Sequence, residues 1–262
     1  MRTQPVFYLP HGGGPCFFMP DPDGQWTGMA KFLASLPGQL PQAPKAILIV
    51  SGHWEADGFA FSGIDQPGLI YDYYGFPQHT YALTYPVPGA PWLAREAAAK
   101  LKAAGLKASI DPARGLDHGV FIPLKVAFPE ASVPVVEMSL DHGLDPALHI
   151  KAGAALKSLR NDNVLIIATG MSFHNMRGYG NPNATAPSQA FDQWLTDTLA
   201  LPPSERSAAL TDWEQAPAAR LSHPREEHLI PVMLAAGAAE GPGTRIYNEL
   251  VLRTALSAFR FD

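Results

Sequence analysis

Cysteine is almost absent from this chain: Cys16 is the only one in 262 residues. That excludes an intramolecular disulfide and a Cys-type structural zinc site, and it points to a reducing compartment. Basic runs are missing as well. Lys and Arg number 19 against 24 Asp and Glu, for a formal net charge of −5. Nucleic-acid binding depends on neutralising phosphates, so it is disfavoured. No window approaches the ~18 consecutive apolar residues that a membrane span needs. Pro5 and Pro10 interrupt the only apolar run near the N-terminus, which leaves no signal-peptide core. The expectation is a soluble, cytoplasmic protein with neither a nucleic-acid nor a membrane partner. Internal repeats and low-complexity tracts are also lacking.

What is present is ordinary globular material, 47% hydrophobic and 16% charged, enough to bury a sizeable core. The 26 prolines and 23 glycines are spread along the chain, which suits long ordered loops on a rigid scaffold. The length allows one large α/β domain or two small ones; one domain over residues 1–262, with a central, mostly parallel or mixed sheet flanked by helices, is the expectation.

The stretch Lys45–Trp54, KAILIVSGHW, organises the rest. Ala46–Val50 is a continuous β-branched run, the signature of a strand buried on both faces. It is expected to stop at Ser51-Gly52, so that His53 lies past its carboxyl end, where open α/β sheets bind ligands. Pro5–Leu9 reads as a strand leading to His11-Gly12-Gly13-Gly14. No Lys-Ser/Thr follows these glycines, which rules out a P-loop. Asn163–Thr169 is another buried strand, followed by His174. His118 lies between glycines in Asp117-His118-Gly119 and reads as a loop histidine suited to proton transfer.

Other elements follow from periodicity and punctuation. Helices are expected over Thr27–Leu36, Pro91–Ala104, Asp145–Leu159, Pro187–Leu199 and from Pro202 onward. Further strands are expected at Lys107–Ile110 and Pro134–Ser139, with an edge strand within Val251–Phe261. The Tyr71–Pro77 and Tyr81–Gly89 stretches are too rich in Tyr, Pro and Gly for a helix. They could wall a cavity that accepts an aromatic ring, or simply pack as a loop. His79, His142 and His149 read as surface residues. His223 reads as a helix N-cap before Pro224, with His228 inside that helix and Pro231 kinking it. Five residues on a 3.6-residue helix separate His223 and His228 by roughly 140°, so they do not share one ion.

His11, His53, His118, His174 and His228 thus come from separate loops or element ends. Imidazole suits Zn, Fe and Cu, and a catalytic metal needs about three protein ligands with positions left open. One or two of the five should then serve as acid/base groups or substrate contacts.

Taken together, His11-Gly-Gly-Gly-Pro, Ser-Gly-His53-Trp, Tyr71–Pro77 with Tyr85-Pro-Val-Pro-Gly, Gly-Leu-Asp-His118-Gly, His174-Asn175 and His223-Pro-x-x-Glu-His228 carry a family resemblance. They resemble the DOPA-dioxygenase branch of the class III (LigB-type) extradiol ring-cleavage dioxygenases. The resemblance implies a non-haem Fe(II), often replaced by Zn(II) in purified protein, held by His11, His53 and His228. His174 would be the acid/base, counted for some members as a further ligand, and His118 would face the substrate. Catechols such as DOPA or caffeate would be opened with O2 to a muconic semialdehyde, and a zinc-filled site would be inactive. Many relatives use two histidines and a carboxylate, whereas His228 fills the third position here. On a helix, Glu226 and Glu227 would point away from it. Arg114 and Arg177 are candidates for reading the distal group of the substrate. A zinc hydrolase using a metal-bound water, and a non-catalytic metal-binding protein on the same fold, are the rival readings.

Overall fold

The computed structural model describes residues 3–262. Met1 and Arg2, part of the expected 1–262 span, lie outside the described residues. The strands are β1 (Val6–Pro10), β2 (Ala46–Ala56), β3 (Phe59–Ser62), β4 (Ala108–Asp111), β5 (Val135–Asp141), β6 (Val164–Gly170), β7 (Gly243–Val251) and β8 (Thr254–Phe261). They form one eight-stranded mixed sheet in the order β4-β3-β5-β2-β6-β1-β8-β7. The central strands β5, β2, β6 and β1 run parallel. The β3–β5, β1–β8 and β7–β8 pairs are antiparallel.

The helices are α1 (Thr27–Ser35), α2 (Pro91–Ala103), α3 (His118–Ala127), α4 (Pro146–Leu156), α5 (Thr185–Leu199), α6 (Pro203–Thr211), α7 (Ala219–Ser222) and α8 (Ile230–Gly237). Alternation along β1 shows why two layers of helix are needed. Val6 and Tyr8 face a core shared with α2, α4, α5 and α8. Phe7 and Leu9 face the opposite core, shared with α1, α3 and the tyrosine-rich loop. A strand apolar on both faces must be covered on both. None of the described helices is long and apolar enough to cross a membrane.

Several expectations need correction. Strand β2 does not stop at Ser51: Ser51 still pairs with Thr169, and a register shift between Val50 and Glu55 carries the strand on to Ala56. His53 therefore sits in an irregularity of the strand, and such irregularities re-aim side chains. His118 is the first residue of α3 rather than a loop residue. Pro123 inside that helix hides it from sequence reading. Burial of most of α3 against the sheet outweighs the lost hydrogen bond.

His149 is fully buried, not solvated. Its Nδ1 donates to the Asp145 carbonyl at 2.7 Å and its Nε2 accepts from the Asp141 N–H at 3.2 Å, so it is a satisfied core histidine. His142 and His79 are exposed as expected. No helix runs from Pro224: His223 ends α7, residues 223–229 form turns, and α8 begins at Ile230. Pro231 therefore lies in the first helical turn, where a missing N–H costs nothing, and no kink results. Strand β8 is not at the edge, because β7 lies outside it. The hairpin between them turns through Leu252 and Arg253, at φ 46° and 66°. Without an Asn-Gly signal, that turn escapes a composition-based reading.

Candidate metal centre

Strands β2, β6 and β1 are adjacent and parallel, so their carboxyl ends meet along one edge of the sheet. That edge is where open α/β sheets place ligands. It receives His53 from β2, His11 just after β1 and His174 four residues beyond β6. His118 arrives on the first turn of α3, and His228 on the turn preceding α8.

Two glycines make the convergence possible. A Cβ at Gly170 would lie 2.1 Å from the His228 carbonyl oxygen, and one at Gly119 would lie 2.6 Å from Ser51 Oγ and 2.8 Å from His53 Cδ2. No side chain fits at either place without moving backbone or buried groups. The His228 carbonyl is then pinned by the Tyr8 hydroxyl at 2.9 Å and the Met171 N–H at 3.0 Å.

Three imidazoles point their outer nitrogens at one another. His53 Nε2 lies 3.3 Å from His11 Nε2 and 3.1 Å from His228 Nε2. Protonation follows from what the other nitrogens meet. His11 Nδ1 faces the Gly12 carbonyl at 2.9 Å, and His228 Nδ1 faces Glu227 Oε1 at 3.0 Å. Both partners only accept, so both Nδ1 atoms carry hydrogen and both Nε2 atoms present bare lone pairs. A hydrogen on His53 Nε2 can satisfy only one of them. Burial, followed by the neighbouring imidazoles, holds His11 well below the usual histidine range, and burial does the same for His228. Burial also pushes His53 down to about 4. Neutral, lone-pair-bearing imidazoles gathered so closely match what a divalent transition metal accepts. The residues present fit such an ion.

Two carboxylates brace this cluster, and neither was expected there. Asp72 Oδ1 accepts from His118 Nδ1 at 2.8 Å and from the His118 N–H at 2.9 Å, and its Oδ2 lies 3.6 Å from His53 Nδ1. Glu227 Oε1 lies 3.2 Å from His174 Nδ1, in addition to its contact with His228. Burial raises the Glu227 pKa, but hydrogen bonds from His174 and His228 outweigh it and hold the carboxyl far below its usual range. Glu227 was expected to point away on a helix; the segment is a turn, and the acid curls back. The only available signal was its adjacency to His228.

Donor atoms within 4.8 Å of one another fall into two groups, His11 with His53 and His118, and His174 with Glu227 and His228. Below them lies a cavity of about 520 Å³ lined by all five histidines and by Trp26, Tyr73, Phe76 and Tyr179 among others. The tyrosine-rich loop thus does wall a cavity, and it also packs on itself. Tyr71 and Tyr73 donate to the Leu83 and Thr80 carbonyls, each at 2.6 Å. His223 stays outside the cluster, fully buried, donating to the Ser172 carbonyl at 3.0 Å. Arg114 is also outside, held by Asp117 and Glu137 at 3.0 and 3.1 Å.

A mixed α/β sheet whose parallel central strands gather histidines able to hold a metal ion at their carboxyl ends defines a metal-dependent α/β enzyme. Residues 6–258 match the family described as the catalytic LigB subunit of aromatic ring-opening dioxygenase. The chain is 39% identical to dioxygenase tasH of Hapsidospora irregularis, covering 91% of this chain and 79% of that protein. It is also 39% identical to a 4,5-DOPA dioxygenase extradiol of Beta vulgaris, covering 80% and 79%. A crystal structure of an uncharacterized protein from Escherichia coli K12 superposes with a TM-score of 0.80 over 100% of both chains, at 25% identity. The chain belongs to the LigB family of aromatic ring-opening dioxygenases. It is an extradiol ring-cleavage dioxygenase, acting on a small aromatic substrate with O2.

Proposed function

We propose that the substrate is a catechol, opened beside its diol to a muconic semialdehyde, and that the resident metal is Fe(II) held by His11, His53 and His228. The observation that carries this is His53 Nε2, which lies 3.3 Å from His11 Nε2 and 3.1 Å from His228 Nε2, so that three imidazole nitrogens meet around one point. When bound, Fe(II) supplies the redox chemistry that lets O2 react with the ring, which Zn(II) lacks.

This chain's own residues handle the protons. A catechol must lose protons from its hydroxyls, and two histidines backed by carboxylates are placed to receive them. His118 donates Nδ1–H to Asp72, which leaves Nε2 as its basic atom. His174 is held in the same way by Glu227. We assign His174 as the general acid that returns a proton as the ring opens, and His118 as a substrate contact and base. Tyr73 and Phe76, with ring centroids 5.5 Å apart, form an aromatic wall against which the ring lies. DOPA, named in several relatives, and caffeate share the diol that this reading requires.

The test is to load apo-protein with Fe(II) anaerobically, add a catechol panel, admit O2 and follow oxygen uptake and the yellow semialdehyde. Zn-loaded protein should stay colourless. No uptake across the panel at verified Fe occupancy overturns the assignment.

A further inference from the structure

We infer that Asp117 is a positioning residue: acting through Ser51, it sets the spacing between His53 and His118. The inference rests on the roles given above to those two histidines and concerns what holds them in place.

Asp117 is the residue before α3, where an Asp ordinarily accepts hydrogen bonds from the free N–H groups of the first helical turn. It makes no such bond here. Both of its oxygens are committed elsewhere, Oδ1 to the Ser51 hydroxyl at 2.8 Å and Oδ2 to Arg114 at 3.0 Å. The side chain reaches across to β2 in place of capping its own helix.

The directions of the bonds make the path continuous. The His53 N–H, in the irregular part of β2, can only donate, and it meets Ser51 Oγ at 3.2 Å. Ser51 Oγ therefore accepts there, and its single hydrogen is left for Asp117. Two hydrogen bonds thus join the backbone of His53 to the residue preceding His118. Ser51 and Asp117 are both fully buried, so water does not compete for either bond.

The far end of this path is anchored. The Asp117 N–H donates to Glu137 Oε2 at 3.0 Å, and Arg114 bridges Glu137 Oε1 and Asp117 Oδ2. Glu137 belongs to β5, the neighbour of β2 whose pairing shifts at the His53 irregularity. Arg114 also lies over the ring of Trp54, the residue after His53, 4.7 Å from its centroid. These contacts all lead to the stretch of sheet that carries His53. They leave the His53 and His118 ring centroids 4.0 Å apart. A displacement of about 1 Å in such a site can cost about 100-fold in rate.

The test uses Ser51→Ala and Asp117→Asn, with Ser139→Ala as the control. Ser139 is an equally buried serine of β5 that accepts from the Ala60 N–H at 2.8 Å and does not line the cavity. On Fe(II)-loaded protein with catechol, Ser51→Ala and Asp117→Asn should each lower kcat by about tenfold or more, with KM within about threefold of the parent value. Ser139→Ala should keep kcat, although its urea midpoint falls as that of Ser51→Ala does. Co(II)-loaded Ser51→Ala should show a displaced visible spectrum because His53 moves, whereas the Ser139→Ala spectrum should superimpose on that of the parent. The double variant should be no slower than the slower single one, since both break one path. A kcat or a Co(II) spectrum in Ser51→Ala that matches Ser139→Ala overturns the inference and assigns the network to stability alone. A double-variant loss equal to the product of the single losses does the same. Should Asp117→Asn fail to fold, Ser51→Ala, which leaves the Arg114–Glu137 contact intact, decides by itself. Absence of oxygen uptake by the parent protein with every diol overturns the catechol reading, and the Co(II) spectra then decide the positioning role on their own.

Discussion

The His174 ring stacks on that of His228, with centroids 3.5 Å apart and planes inclined by 17°. Glu227 ties the pair together through a single oxygen that faces both Nδ1 atoms. One carboxylate thus orients a proposed metal ligand and a proposed proton carrier at once, and Asp72 does the same for His53 and His118. The arrangement lets the two functions be separated by mutation.

His174→Ala should retain metal while turnover drops by about 10²–10⁴-fold, the range for loss of a positioned acid/base. His53→Ala should lose the metal itself. Elemental analysis beside oxygen-uptake rates checks both. An empty site in His174→Ala would make His174 a fourth ligand.

Glu227→Gln keeps the side-chain shape but removes the charge that His174 and His228 share. Metal affinity should fall by about 10–100-fold, the usual cost of losing a carboxylate behind a ligating histidine. Competition with a chelator of known affinity measures this. An unchanged affinity would mean that packing alone orients His228.

Gly170→Ala places a methyl 2.1 Å from the His228 carbonyl oxygen, so the β6 terminus and the His228 turn must separate. Stability should fall by about 1–3 kcal/mol, the usual cost of overpacking. Metal content should fall with it, because the same carbonyl anchors the turn to Tyr8 and Met171. Urea denaturation and metal analysis on one preparation read both effects.

His223 is fully buried and its pKa is pushed down to about 3, chiefly by burial. The unfolded chain takes up a proton on this residue near pH ~6.5, well before the folded one does. Its contribution to stability is therefore complete above that pH, is lost progressively as pH falls toward 3, and changes no further below it. His223→Gln should flatten the pH dependence of the urea midpoint in metal-free protein, by up to about 1.4 kcal/mol per pH unit. Identical slopes for the two proteins would assign the acid sensitivity to other groups.

The sequence by itself determined the sheet's central strands and the meeting of histidines at their carboxyl ends. Ala46–Val50 and Val164–Ala168 are apolar at every position, so each must be buried on both faces and run parallel within an α/β sheet. Parallel strands share one carboxyl edge, and His53 and His174 follow from that. The glycines at 52, 119 and 170 stood near these histidines in the sequence, but the close approaches that require them appeared only in the fold.

Only the tertiary structure decided what lies behind those histidines. Asp72 reaches His118 across 46 residues of chain, inside a loop without a period to read. Glu227 comes near His228 because Pro231 starts a helix instead of kinking one, a choice made by packing of Ile230–Gly237 against the sheet. Pro123 was tolerated within α3, and β7 was added outside β8, for the same reason. Local patterns report which faces must be buried, but contacts between distant segments are selected by the fit of whole surfaces, and no short stretch of sequence encodes that fit.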